Sequence, residues 1–246
     1  MSVISKGYMN ENSYMKDVLK AVGYGNGELV VFDLDKTVFE VLAEETTEAW
    51  FFSNISALMR EGYNEQTAKE KLLPIIEEAQ RDARVRLVDP FILDVMSELR
   101  KRQVRVIAVT ARTGSVLESA TFRQLRDTGV SFVQVEYEDA EAPDLWLGYC
   151  EFPELYKGVF YKDGVMFVDG KDKGIALELF FQKVSYRPAH LVFVDDSLHN
   201  VKAVQKMAER LNIPCDGFHF TCVDDKAAAL VMADRRGELA QPSVPV

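Results

Sequence analysis

Three times in this chain a short apolar run of β-preferring residues stops on a polar side chain. Leu29–Phe32 runs into Asp33, Val104–Val109 into Thr110, and Leu191–Val194 into Asp195 and Asp196. Runs without polar alternation suit strands covered on both faces, the situation of a parallel sheet. Helical spacing follows, in Ser115–Asp127 (Val116, Ala120, Leu125) and in Leu198–Leu211 (Val201, Val204, Met207, Leu211). Repeated strand-then-helix units predict an α/β fold, a doubly wound parallel sheet of the Rossmann type. Ligands of such sheets gather beyond the carboxyl ends of the strands, where all the polar residues just named would stand.

The pattern breaks once. Between Val38 and Arg100 there is no obvious strand, while Thr46–Arg60 and Glu65–Arg84 read as charged amphipathic helices and Pro90 starts the helix that leads back. Residues 40–88 are therefore expected to form a small helical cap inserted after the first strand, with residues 13–39 and 89–236 as the core. Ser13–Val22 is expected to be a helix stopped by the glycines at 23, 25 and 27. Asp163-Gly164 between β-prone residues predicts a hairpin near 155–168, and the tail 237–246 is expected to be disordered. A length of 246 residues, 48% of them apolar, accommodates one well-buried core plus such an insertion but not two full-sized domains.

Charge removes several functions. Thirty-nine acids against 29 bases leave a net charge of -10, the opposite of a general nucleic-acid binder. No stretch reaches the roughly 20 apolar residues of a membrane span, and the first residues lack the layout of a signal peptide, so a cytoplasmic protein without a transmembrane segment is expected. Three cysteines, Cys150, Cys215 and Cys222, form no disulfide framework.

Four motifs carry the chemistry. Asp33-Leu34-Asp35-Lys36-Thr37 puts two carboxylates at the end of the first strand. Val109-Thr110-Ala111-Arg112 ends the second. Lys173 stands at a helix start in Lys171-Asp172-Lys173-Gly174, and Asp195-Asp196-Ser197-Leu198-His199-Asn200 follows a later strand. Asp33, Asp35, Asp195 and Asp196 cannot converge at one sheet edge unless cations neutralise the cluster. A hard divalent ion fits, Mg²⁺ above all, since no His/Cys set invites zinc; Lys173 adds positive charge and Thr110 a hydroxyl.

With these motifs in this order, residues 28–205 resemble the haloacid dehalogenase-like superfamily. The run Tyr161-Lys162-Asp163-Gly164-Val165-Met166-Phe167-Val168, with the later Lys173-Gly174 and Phe193-Val194-Asp195-Asp196, resembles a bacterial subgroup of unassigned function within it. The resemblance implies a Mg²⁺-dependent phosphoester hydrolase, a phosphatase that works through an aspartyl-phosphate. Asp33 would be the nucleophile and a metal ligand. Asp35 would protonate the leaving oxygen, activate water and offer its backbone carbonyl to Mg²⁺. Asp196 would bind the metal directly and Asp195 through water or a second layer. Thr110, Lys173 and Arg112 would bind phosphate or substrate, although Arg112 could equally pair with a carboxylate, and Lys171 competes with Lys173. Asn200 stands where many relatives carry Asp. The substrate would be a phosphorylated small molecule under a closing cap, or a phosphoprotein, including phosphotyrosine, under an open one. A phosphomutase and a catalytically inactive phosphate-binding module are the alternatives; a receiver domain is disfavoured because its acidic pair lies on the first strand and its phosphoacceptor later.

Other signals have simpler explanations. Gly23-x-Gly25-x-Gly27 precedes its strand, whereas a dinucleotide fingerprint follows one, and Lys171–Gly174 lacks Walker spacing. A cysteine-phosphatase loop needs Arg six positions after Cys, where Tyr156, Thr221 and Ala228 stand. In Cys215-x3-His219-x2-Cys222 the alternation of Phe218, Phe220 and Cys222 turns His219 to the other face, so a strand is expected rather than a zinc site. His199 reads as a helix-surface residue, and Trp50, Phe51 and Phe52 as the core of the insertion.

Overall fold

The computed structural model describes residues 9–11, 15–23, 27–133, 148–152 and 156–223. Its strands are β1 (Met9–Glu11), β2 (Glu28–Phe32), β3 (Phe39–Val41), β4 (Val85–Leu87), β5 (Arg105–Thr110), β6 (Tyr149–Glu151), β7 (Phe160–Lys162), β8 (Val165–Phe167), β9 (His190–Asp195) and β10 (Cys215–His219). The α-helices are α1 (Val18–Ala21), α2 (Glu48–Arg60), α3 (Glu65–Asp82), α4 (Ile92–Lys101), α5 (Gly114–Thr128), α6 (Lys173–Lys183) and α7 (Leu198–Arg210).

Eight strands form one sheet in the order β1-β10-β9-β2-β5-β8-β7-β6. Every pairing from β1 to β8 is parallel, and β7 and β6 continue antiparallel. The fold is thus the doubly wound α/β sheet that the apolar runs predict. Because successive side chains alternate across a strand, each run feeds two cores. Val30, Phe32, Val106, Ala108, Val192 and Val194 pack on one face with Val95 and Leu99 of α4 and Leu125 of α5. Leu29, Val31, Ile107, Val109, Leu191 and Phe193 pack on the other with Leu177 and Phe180 of α6 and Val201 and Val204 of α7.

The winding reverses beside β2. The chain leaves it toward β5 and β8, then crosses back to β9 on its opposite side. Such a reversal opens a crevice at the carboxyl ends of β2 and β9, where Asp33 and Asp195 stand.

The segment that interrupts the pattern contains strands as well as helices. β3 and β4 pair antiparallel, with Phe39 opposite Leu87, Glu40 opposite Arg86 and Val41 opposite Val85. Each is only three residues long and half-exposed over most of its length, too short for alternation to show in a sequence. Helices α2 and α3 follow from their caps: the Thr47 side chain accepts from Trp50 N–H at 3.2 Å and that of Asn64 from Thr67 N–H at 2.8 Å. They close on Ile55, Ala68 and Leu72, with Trp50 and Phe51 packed alongside, while Phe52 is 61% exposed.

Elsewhere, the described part of the helix expected over Ser13–Val22 forms a 3₁₀ turn at Met15–Asp17 and the four-residue α1, and residues 13 and 14 lie outside the described residues. β7 and β8 form a hairpin turned by Asp163 (φ 46°) and Gly164 (φ 86°), both left-handed as a tight hairpin requires. A Cβ at Gly164 would come within 2.0 Å of the Phe132 carbonyl oxygen, so only glycine fits. The tail 237–246 lies outside the described residues.

Candidate active site

The site begins where β2 ends. Asp33, 6% exposed, follows Phe32 directly, and its N–H donates to the Val194 carbonyl at 2.8 Å, which ties the end of β2 to β9. Asp195 is the last residue of β9 and is fully buried. Between them lies Lys173, the first residue of α6, 2% exposed. Its Nζ is 2.7 Å from Asp33 Oδ1 and 2.7 Å from Asp195 Oδ2. Lys171 turns away and donates to the Lys157 carbonyl at 2.8 Å and to Asp169 at 3.0 Å. The helix start therefore delivers Lys173, not Lys171, to the carboxylates.

Asp195 has few oxygens to spare. Besides Lys173, its carboxylate accepts from Ser197 N–H at 2.8 Å and from Asn200 Nδ2 at 3.0 and 3.2 Å. Asn200 thus works as a donor that orients Asp195, a role its position in the motif does not announce. By contrast, the carboxylate of Asp196 and the second oxygen of Asp33 take no hydrogen bond from the described residues. Asp33, Asp195 and Asp196 each offer an oxygen within 4.8 Å of the others, the one such metal-compatible group among the described residues.

The charges do not balance. Three clustered carboxylates share one ion-paired ammonium, that of Lys173, and burial pushes the Asp33 carboxyl well above its usual range, with Lys173 pulling the other way and Asp195 and Asp196 adding to the rise. Asp196 is pushed up to about 6, first by burial and then by Asp195, against the pull of Lys36 and Lys173. Burial alone would lower Lys173, but Asp33 and Asp195 outweigh it and hold it above the usual lysine range, fully charged. The oxygen-only donor set, two free carboxylate acceptors and a surplus of negative charge fit a hard divalent cation such as Mg²⁺.

Two further residues of the first motif are paired with other side chains. Both oxygens of Asp35 accept from Arg112, at 2.8 Å from Nε and 2.8 Å from Nη2. Arg112 is 4% exposed, and its Nη1 is occupied by Thr121 Oγ1 at 2.9 Å and Gln124 Oε1 at 2.6 Å. Of the two roles open to Arg112, the guanidinium takes carboxylate pairing instead of facing the cluster. Lys36 has φ 60°, and its Nζ meets Glu48 Oε1 of α2 at 2.6 Å. Thr110, the last residue of β5, is fully buried, and its hydroxyl accepts from Arg112 N–H at 3.2 Å. His199 is exposed on α7, and His219 Nε2 lies 3.0 Å from the Asp196 carbonyl oxygen. His219 belongs to β10, as the alternation around it requires, and Cys150, Cys215 and Cys222 are free thiols.

A family model described as protein of unknown function (DUF2608) matches residues 11–240. The chain belongs to the DUF2608 family. Among curated proteins, this DUF2608 chain is 24% identical over 192 residues to a Chlamydia trachomatis protein provisionally named an outer membrane protein, covering 78% of the chain and 68% of that protein. Among the described residues no helix is long and apolar enough to cross a membrane. Among solved structures, it is similar to a haloacid dehalogenase-like family hydrolase from Streptococcus pneumoniae (TM-score 0.45, 11% identity, 81% of this chain and 97% of that one). A second is a HAD-family enzyme from Bacteroides thetaiotaomicron, an Asp-to-Ala mutant in complex with magnesium and inorganic phosphate (TM-score 0.40, 10% identity, 78% and 94%).

Proposed function

We propose that this DUF2608 protein is a Mg²⁺-dependent phosphoester hydrolase of the haloacid dehalogenase type that forms an aspartyl-phosphate on Asp33. One observation carries the reading: Asp33 keeps one oxygen on Lys173 and leaves the other without a hydrogen bond, beside Asp196 and at the mouth of the sheet's crevice. A carboxylate held by one oxygen and open at the other is positioned to attack. Asp33 and Asp196, with the backbone carbonyl of Asp35, would hold the metal, while Asp195 braces Lys173 and the loop that carries Asp196. The bound ion would neutralise the carboxylates and polarise the phosphoryl group.

The protein's own residues account for the rest. Asp33 Oδ attacks phosphorus in line as the ester P–O bond breaks, and Asp35 gives the leaving oxygen its proton. Water then attacks the acyl phosphate, its proton passes to Asp35, and inorganic phosphate leaves as the Asp33 carboxylate is regenerated. Lys173 and the hydroxyl of Thr110 stabilise charge on the phosphoryl oxygens throughout. Helices α2 and α3, raised on the β3–β4 ribbon, act as a cap that admits substrate and excludes water.

A panel of phosphoesters, from sugar phosphates and p-nitrophenyl phosphate to phosphopeptides, with and without Mg²⁺, tests the reading. Hydrolysis abolished by EDTA supports it; turnover indifferent to EDTA contradicts the metal assignment, and transfer between positions of a sugar would make the enzyme a mutase. Cell fractionation separates the cytoplasmic reading from the location in the Chlamydia relative's name.

A further inference from the structure

The pairing of Asp35 with Arg112 continues into the insertion. Arg112 spends Nε and Nη2 on the two oxygens of Asp35 and Nη1 on Thr121 and Gln124. Gln124 is fully buried in α5, and its amide is used on both sides. Oε1 accepts from Arg112, while Nε2 donates to the Gln80 carbonyl at 2.7 Å and the Ala83 carbonyl at 3.1 Å, where α3 ends and the chain turns into β4. The Arg112 guanidinium also lies 5.0 Å from the ring of Phe39 in β3. One buried polar line therefore runs from the carboxylate of Asp35 to the stem of the α2–α3 insertion.

Burying an arginine and a glutamine is costly unless every polar atom is matched, and a partly satisfied network is worse than an apolar one. Packing alone would be served better by apolar residues of similar size. What this line adds is orientation: a bidentate guanidinium fixes a carboxylate in plane and direction, as a point charge cannot. We infer that Arg112 and Gln124 are positioning residues that aim Asp35 and set its orientation by the position of the cap stem. With one bond from Arg112 on each oxygen, the Asp35 carboxyl takes its plane and direction from the guanidinium; a movement of the stem that shifts Gln124 shifts Arg112 and re-aims Asp35 toward or away from the leaving group. Cap position and proton delivery are thereby linked in one side-chain chain.

This inference rests on the hydrolase reading, and leaving groups separate the two. An alkyl phosphate needs its leaving oxygen protonated, whereas p-nitrophenolate leaves without help. In Arg112→Met, kcat for an alkyl phosphate is expected to fall roughly 10²-fold, the usual scale of a lost general acid, and kcat for p-nitrophenyl phosphate less than about tenfold. Arg112→Lys should recover little, because it cannot pair bidentately. Gln124→Leu, which leaves the Arg112–Asp35 contact in place, should show the same selectivity at smaller size, with faster hydrogen exchange over residues 80–88. Equal losses on both substrates, or unchanged exchange in Gln124→Leu, would overturn the inference. A wild-type protein inert toward every phosphoester of the panel with Mg²⁺ would instead sink the hydrolase reading, and the exchange experiment would then test only the coupling of Gln124 to the stem.

Discussion

The sheet and the α2–α3 insertion are held together by different physics. Around β2, β5 and β9 each strand is buried on both faces and two large apolar cores share the load. Helices α2 and α3 close on three buried residues, Ile55, Ala68 and Leu72, and reach the body of the protein through polar contacts, Lys36 to Glu48, Gln124 to the end of α3 and Arg123 to the Arg81 carbonyl, while Val41, Val85 and Leu87 of the β3–β4 ribbon below them pack on the main core. Apolar cores are stiff, because any displacement opens voids. Polar contacts at a surface exchange with water at small net cost, so a region fastened by them can shift as a unit. The carboxylate cluster, Arg112 and Gln124 sit on the stiff part, and the helices that would govern access belong to the adjustable one.

The most severe way to break this contrast is to unbalance the stiff part. Lys173→Met leaves Asp33 and Asp195 buried without their cation and should cost about 3–5 kcal/mol in denaturant titrations in EDTA, with part recovered by Mg²⁺. A loss below ~1 kcal/mol would show that the carboxylates are less buried than described. Phe193→Ala, a fully buried side chain of β9, should cost about 3–5 kcal/mol in one cooperative transition. Leu72→Ala should cost less globally and act mainly through faster hydrogen exchange within residues 48–82; a global loss equal to that of Phe193→Ala would mean that insertion and core unfold as one unit.

The next effect follows from charge. Because folding without metal raises Asp196 to about 6, and Asp33 in the same direction, these two carboxyls bind protons more readily in the folded than in the unfolded chain. Their contribution to stability should therefore fall as pH rises from roughly 4 through about 6. Mg²⁺ needs these carboxylates deprotonated, so its stabilisation should appear over that rise and vanish on acidification. Melting temperatures with EDTA and with Mg²⁺ across this range check both signs. The smallest effect belongs to Lys36. At φ 60° glycine is favoured by about 1 kcal/mol, while the exposed pair with Glu48 is worth at most about that much. Lys36→Gly should thus be neutral or stabilising by up to ~1 kcal/mol; a marked loss would make the Lys36–Glu48 pair a real fastening of the insertion.

The same contrast explains what the sequence discloses. Buried parallel strands have no polar alternation and end on their functional residues, so β2, β5 and β9, with Asp33, Thr110 and Asp195, can be read directly. Lys173 is legible from its helix start. β3 and β4 are not, because three half-exposed residues carry no period. Nor are the roles of Asn200 and Gln124 and the bidentate pairing of Asp35 with Arg112. Those roles depend on partners distant in the chain, as with Gln124 and Ala83, or on which of several donors a folded loop delivers, and no local pattern encodes either. Lys36 gives no warning of its left-handed backbone, since its side chain is chosen by charge and not by φ.

The central claim is that Asp33 takes the phosphoryl group. Its most direct test is to quench the enzyme during turnover with Mg²⁺, reduce any acyl phosphate with borohydride, and locate the product by peptide mass spectrometry. The account predicts homoserine at position 33, absent when Mg²⁺ is withheld and absent in Asp33→Asn. Homoserine at another carboxylate, or full turnover by Asp33→Asn, would contradict it.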